Sequence, residues 1–221
     1  MSKPLLSILI PLTPDRIDVC NLLAKKIGFA NVDLKKAHSF HGDLFIRQEV
    51  VMEGELPIIE LFVYCDPKTL TIGEKRERLY KMTKSLYSWQ VDSDDDIAEN
   101  AIQLILEAIK SNPEIPCITF REKCMMNGVY KSSNHSIKYD KWQDNFDGYD
   151  YVRCPFYKDV IRTDIAKSVP FPHIRYNEDE QWSMAVKPLL TDELHIDEEL
   201  YHYIYNPTET HEERYGFNRS N

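Results

Sequence analysis

Leu5-Leu6-Ser7-Ile8-Leu9-Ile10-Pro11-Leu12 is an almost unbroken apolar run, closed by Thr13-Pro14-Asp15. Such runs are typical of strands buried on both faces of a parallel sheet, because a solvated face would demand alternating polar residues. Asp15 stands where it can cap a helix in which Cys20, Leu23, Ala24 and Ile27 recur at helical spacing, with Gly28 closing it. A second strand, Ile58 to Cys65, ends in Asp66-Pro67, and Gly73 leads into a helix with Leu79, Met82 and Leu86 on one side. Tyr87 to Val91 reads as a third strand. After Asp92-Ser93-Asp94-Asp95-Asp96 a helix follows, with Ile97, Ala101, Leu104, Ile105, Ala108 and Ile109 at a period of 3.6. Alternating strands and helices predict an α/β fold with a mainly parallel sheet flanked by helices.

Beyond Ile115 the pattern is less regular. Cys117 to Arg121 reads as a strand, and the polar, aromatic-rich stretch from Asn127 to Tyr151 as ligand-specific loops. A helix resumes at Glu178 to Leu190. Tyr201, Tyr203 and Tyr205 alternate as a strand would, which favours packing over sugar-stacking, and no periodicity follows Asn206-Pro207. A chain of 221 residues fits one domain, and 43% hydrophobic with 29% charged residues excludes a disordered or fibrous chain. No apolar stretch is long enough to cross a bilayer, and Met1-Ser2-Lys3-Pro4 does not open a secretory leader, so the expected compartment is the cytoplasm. Five cysteines without a Cys-x-x-Cys pair read as reduced thiols.

A net charge of -9 argues against indiscriminate nucleic-acid binding. Residues 121–175 nevertheless hold 10 basic against 7 acidic side chains. Lys131, Lys138, Lys141, Arg153, Lys158, Arg162 and Arg175 lie there, so that segment is a candidate face for an anionic ligand.

Ligands of open α/β sheets bind beyond the carboxyl ends of the strands, and all three early strands deliver polar residues there: Thr13 and Asp15, Asp66, and the cluster from Asp92 to Asp96. An Asp-x-Asp at a strand end can hold Mg²⁺ or Mn²⁺ together with diphosphate oxygens. Helix capping is the alternative for these aspartates, but a cap needs one carboxylate and several crowd here at mutual electrostatic cost. Ile97 and Gln103 stand where a calcium loop needs Gly and Glu, which excludes an EF-hand. Asp96 stands where an Asp-x-Asp-x-Thr phosphatase needs Thr. Neither Gly-x-x-x-x-Gly-Lys-Ser/Thr nor Gly-x-Gly-x-x-Gly occurs.

The ordered set Leu6-Ser7-Ile8-Leu9-Ile10-Pro11-Leu12-Thr13-Pro14-Asp15-Arg16, Asp66, Gly73-Glu74-Lys75-Arg76, Val91-Asp92-Ser93-Asp94-Asp95 and Glu178-Asp179 resembles the motifs of family 2 glycosyltransferases with the GT-A fold. The resemblance covers about residues 5–190. The Gly-Glu-Lys-Arg variant and the short chain are similar to glycosyltransferases of bacterial viruses. The resemblance implies one GT-A domain, with a donor-binding part over about 1–112, an acceptor-binding and catalytic part over about 113–205, and a tail over 206–221. It implies that Pro11, Thr13 and Asp66 line the nucleobase pocket, with Arg76 at its edge and Arg16, Lys75 and Ser93 among the donor-binding residues. Asp92 would face the donor ribose or sugar, and Asp94, with Asp92 as a second candidate, would hold Mn²⁺ or Mg²⁺. His202 and His211 are late-histidine candidates for the same metal. Asp179 becomes the general base of an inverting transfer, with Glu178 next in line, although the pair could equally cap its helix. The departure at Leu12-Thr13-Pro14, where many relatives have Thr-Tyr-Asn, touches base recognition.

The expected reaction moves a sugar from a nucleotide-sugar, with UDP as the expected nucleotide, to an acceptor hydroxyl. The expected acceptor is a hydroxyl-bearing modified base in DNA, with surface glycans or protein side chains as the alternative. Two other readings compete: a nucleotidyltransferase, which would place glycines after the first strand where 11–16 have none, and a noncatalytic nucleotide- or carbohydrate-binding protein, which would not need Asp94 and Asp179 together.

Overall fold

All seven residues of β1 (Leu6–Leu12) are buried, as an apolar run at the centre of a covered sheet must be. The computed structural model describes residues 3–29, 33, 38–40, 43–53 and 56–205, with side chains for 3–29, 33 and 58–205. In chain order β1 is followed by α1 (Ile17–Lys26), β2 (His38–Phe40), β3 (Asp43–Glu53), β4 (Leu56–Cys65), α2 (Ile72–Met82), β5 (Tyr87–Gln90), β6 (Asp96–Ile97) and α3 (Ala101–Ser111). Then come β7 (Cys117–Met126), β8 (Val129–His135), β9 (Gln143–Phe146), β10 (Tyr149–Arg153), β11 (Val160–Arg162), α4 (Thr163–Ser168), α5 (Glu178–Val186) and β12 (Glu193–Tyr205).

Among the described residues one sheet runs in the order β2-β3-β4-β1-β5-β11-β7-β8-β10-β9, with β12 along β7 and β6 on β12. Its centre is parallel: β1 pairs with β4 on one side and β5 on the other. Parallel pairs recur at β8–β10 and β7–β12, and the remaining pairings are antiparallel, so the α/β sheet is mixed. Period-two alternation sends Leu6, Ile8, Ile10 and Leu12 into the core shared with α1 and α3. Leu9 points the other way, against Leu79 of α2 and Trp182 of α5. The helices therefore cover both faces. The sheet is continuous across residue 112, joining the early parallel half to the later hairpins.

Local structure departs from the sequence expectation in several places. Asp15 caps nothing: Pro14–Arg16 form a 3-10 turn preceded by Thr13, without a side-chain cap bond, and Asp15 meets Lys68 at 3.2 Å instead. Leu86 lies outside α2, and Ile97 belongs to β6, paired with Tyr201, because β12 recruits it before α3 begins. The stretch expected as loops from Asn127 to Tyr151 contains β8, β9 and most of β10. Residues 206–221, including the tail, lie outside the described residues. No helix among the described residues is long and apolar enough to cross a membrane.

Candidate active site

A cavity of about 730 Å³ opens at the carboxyl ends of the central parallel strands and extends to the face of β7, β8 and β10. That is the crevice in which open α/β sheets bind ligands, and the volume is within the range of ligand pockets. Pro11, Thr13 and Arg16 reach it from the end of β1, and Lys75 and Arg76 from α2. Asp92, Ser93 and Asp94 reach it from the loop after β5, and Glu178 and Asp179 from the first turn of α5.

The first turn of α2 is set by Thr71, whose Oγ1 accepts from the Glu74 N–H at 3.2 Å. Lys75 then turns to Asp66, at 3.3 Å. Asp66 is fully buried and does not line the cavity. Its carboxylate accepts from the N–H groups of Thr69 and Leu70 at 3.1 and 3.3 Å and from the Thr69 hydroxyl, so it shapes the loop that brings Lys68 and Leu70 to the wall.

Arg76 is the hub. Its guanidinium donates two bonds to Asp92, at 2.9 and 3.2 Å, and lies 3.5 Å from Glu178. It stacks 3.4 Å above the Tyr157 ring, while the Tyr157 hydroxyl donates to Asp92 at 2.7 Å. Burial works against ionisation of Asp92, but the Arg76 charge outweighs it and holds that carboxyl below its usual range. Glu178 is pushed up to about 7 by burial and by its neighbour Asp179, against the pull of Arg76. Asp179 is half-buried, lines the cavity and accepts the Glu180 N–H at 2.9 Å. One carboxylate oxygen of the helix's first turn is thus engaged as a cap would be, while the same side chain faces the cavity.

Of the aspartates of this loop that line the cavity, Asp94 has the most accessible side chain, whereas Asp96, more exposed, lies outside the cavity and pairs with Lys26. The Asp94 side chain is 26% exposed and lies 2.9 Å from the Arg16 guanidinium. Asp92 is committed to Arg76 and Tyr157. Asp95 accepts from the Tyr201 hydroxyl at 2.8 Å and the Ile204 N–H at 2.9 Å. Burial, with Asp92 and Asp94 adding to it against Lys158, pushes Asp95 up to about 8. Among the described residues no group of three or more His, Cys, Asp or Glu side chains is arranged to hold a metal by itself. A single accessible carboxylate such as Asp94 would leave the remaining ligands of a Mg²⁺ or Mn²⁺ ion to be supplied by something other than the protein. His202 does not line the cavity; it sits opposite Asp96 in the β6–β12 pair, with 4.0 Å between Nδ1 and the carboxylate. His211 lies outside the described residues.

Apart from Arg153 of the basic segment, the far wall is built from residues outside the sequence motifs. Glu122, Cys124 and Met126 share one face of β7, Ser133 comes from β8, and Tyr151 and Arg153 from β10. Trp142 donates to Ser183 Oγ of α5 at 3.1 Å, and the Arg153 guanidinium lies 5.0 Å from each of the Trp142 and Tyr151 rings. Tyr201 is buried, as packing requires, whereas Tyr203 lines the cavity. Of the seven basic residues singled out in segment 121–175, five are ion-paired, and Arg175 lines the cavity. Lys131 pairs with Asp150, Lys138 with Asp147, Arg153 with Asp144, Lys158 with Glu122, and Arg162 with Asp164.

No protein-family model and no curated protein sequence matches the chain. Solved structures do match in three dimensions. S. aureus TarS superposes with a TM-score of 0.58 at 12% identity, over 92% of this chain and 37% of that one. Its 1–349 fragment in complex with UDP gives 0.58 at 13%, over 92% and 61%, and the complex with UDP-GlcNAc gives 0.54 at 12%, over 91% and 59%. The chain spans less than two thirds of the length of these structures. With the mixed sheet flanked by helices, the likeness is that of a GT-A fold.

Proposed function

We propose that the chain is a metal-dependent, inverting glycosyltransferase that moves a sugar from a UDP-sugar to an acceptor hydroxyl. The observation that carries this reading is the meeting, in one cavity at the carboxyl ends of the parallel strands, of Asp94 with the Arg76–Asp92–Glu178 cluster and Asp179. The fold likeness to TarS, whose structures hold UDP and UDP-GlcNAc, supports the choice of donor.

In this reading Pro11, Thr13, Arg16 and Lys75 receive the nucleotide, Asp92 and Arg76 order the donor, and Asp94 holds Mn²⁺ or Mg²⁺. When bound, such a cation neutralises charge that builds on the departing diphosphate. Asp179 takes the proton of the acceptor hydroxyl as its oxygen attacks the anomeric carbon. Glu178 keeps Arg76 oriented beside it. A nucleotidyltransferase is disfavoured by the glycine-free 11–16 segment, and a purely binding protein would not need Asp94 and Asp179 together.

For the acceptor, the aromatic side chains of Trp142, Tyr151 and Tyr176 lining the cavity support a glycan hydroxyl, and the ion pairing of five of the seven basic residues weakens the charge argument for a modified base in DNA. The test is a thermal-shift screen of nucleotide-sugars with and without Mn²⁺, followed by radiolabelled transfer to oligosaccharides and to hydroxymethylated DNA. Metal-dependent stabilisation by a UDP-sugar and label on an oligosaccharide are expected. No nucleotide-sugar binding under any condition would overturn the reading, and label on the DNA alone would restore DNA as the acceptor.

A further inference from the structure

Behind the aspartate loop lies a line of buried charges that the proposed reaction does not use. Lys158 Nζ donates to Glu122 at 2.6 Å and lies 3.8 Å from Asp95. The other Glu122 oxygen is 3.3 Å from His135 Nε2, and His135 Nδ1 is 3.1 Å from Asp159. Taking ions out of water costs several kcal/mol each, and apolar side chains of similar volume would glue these strands as well or better. Lys158 and Glu122 nevertheless both line the cavity.

Ser133 supplies an independent observation. It stands directly opposite Glu122 in the β7–β8 pair and lines the same wall. It is 1% exposed, and its Oγ has no hydrogen-bond partner. A buried hydroxyl left unpaired costs free energy, and native structures rarely keep one without a reason. An ammonium, a carboxylate and an unpaired hydroxyl together offer donors and acceptors in the mix that a polyol needs. Lys158 also follows Tyr157, whose hydroxyl bonds Asp92, and lies 3.8 Å from Asp95, so the group adjoins the aspartate loop to which the proposed reading assigns the donor.

We propose that Lys158, Glu122 and Ser133 form a subsite that reads the hydroxyl groups of the donor sugar, with His135 and Asp159 holding Glu122 from behind. The inference rests on the UDP-sugar reading above. It assigns sugar choice to this wall and nucleotide affinity to the other.

The test measures affinities for UDP, UDP-glucose, UDP-galactose and UDP-GlcNAc by calorimetry in Mn²⁺, for the unmodified protein, Ser133→Ala and Lys158→Met/Glu122→Gln. Ser133→Ala removes an unpaired hydroxyl, so a merely structural serine would leave stability equal or higher and every affinity unchanged. In the subsite reading it leaves UDP affinity unchanged and weakens the preferred UDP-sugar by about three- to tenfold. The double variant, which removes both charges together so that neither is stranded, flattens the discrimination among the three sugars to about twofold while UDP still binds. Retained discrimination in both variants, or equal loss for UDP and all UDP-sugars in Ser133→Ala, would overturn the subsite. If the unmodified protein bound neither UDP nor any UDP-sugar, the glycosyltransferase reading itself would fall.

Discussion

Arg76 joins three parts of the cavity wall at once. A fully buried guanidinium needs partners on every edge, and it takes Asp92, Glu178, Gln90 and the face of Tyr157. The aspartate loop and the first turn of α5 are thereby fixed relative to each other, which sets Asp179 in the same cavity as Asp92 and Asp94. A general base acts on the acceptor proton and not on the diphosphate. Asp179→Asn is therefore expected to lower transfer by on the order of 10²- to 10⁴-fold while UDP affinity by calorimetry stays within about twofold. Wild-type turnover in that variant would move the base to Glu178. At Asp94 the expectation is opposite in kind: Asp94→Asn removes most of the gain in UDP affinity produced by Mn²⁺. Equal UDP affinity with metal and with chelator in the unmodified protein would count decisively against a metal role.

Among the elements, α2 and α5 depend on a close approach that only glycine permits. A Cβ on Gly73 would lie 1.9 Å from the Pro172 carbonyl oxygen and 3.4 Å from Glu178 Cβ. Alanine gains about 1 kcal/mol in helix propensity, but a backbone atom cannot step aside as a side chain can, and overpacking typically costs about 1–3 kcal/mol. The clash wins. It also strikes the segment that leads into α5, where Phe171 stacks on Trp182 at 4.7 Å and Trp182 on Tyr80 at 5.6 Å. Gly73→Ala is expected to lower Tm and to reduce transfer by displacing Glu178 and Asp179. A variant as stable and active as the parent would show that the approach is looser than described. The Gly73-Glu74-Lys75-Arg76 and Glu178-Asp179 motifs are legible in the sequence because their chemistry lies in contiguous residues. The far wall is not, since its residues meet only through strand pairing. Two signals were present all the same. Asn127-Gly128 and Asp147-Gly148 take positive φ at both positions, as two-residue hairpin turns require, and mark β7–β8 and β9–β10. Glu122 shares the strand face of Phe120 and Cys124, and an acid in such a row announces a buried, paired charge.

Across the whole molecule, the buried charges tie the two parts of the sheet together. Asp95 belongs to the loop after β5, Glu122 to β7, His135 to β8, and Lys158 and Asp159 to the turn before β11. Opening any of these elements strands a charge, so the line should unfold as one unit. Its titration is a test of that coupling. Burial alone would lower the His135 pKa, but Asp159 and then Glu122 outweigh burial and raise it from 6.5 to about 9. A histidine whose folded pKa lies above its unfolded value contributes stability that is complete below the unfolded value and is lost as pH rises through the folded one. His135 should therefore stabilise the fold most near pH 6 and progressively less up to pH 9, by up to about 3 kcal/mol on the linkage relation. Asp95 and Glu178, with pKa values raised to about 8 and 7, and Asp159, raised by burial against the pull of His135, lose stability in the same direction, so a profile of the unmodified protein alone would not isolate the histidine. His135→Gln does so by difference. The variant should be clearly less stable at pH 6, where it lacks the cation between Asp159 and Glu122, and the gap in urea midpoint should narrow steadily towards pH 9 as the parent's imidazolium deprotonates. A gap that stays constant from pH 6 to pH 9 would mean that His135 does not titrate there in the fold and that the line of charges is broken at its centre.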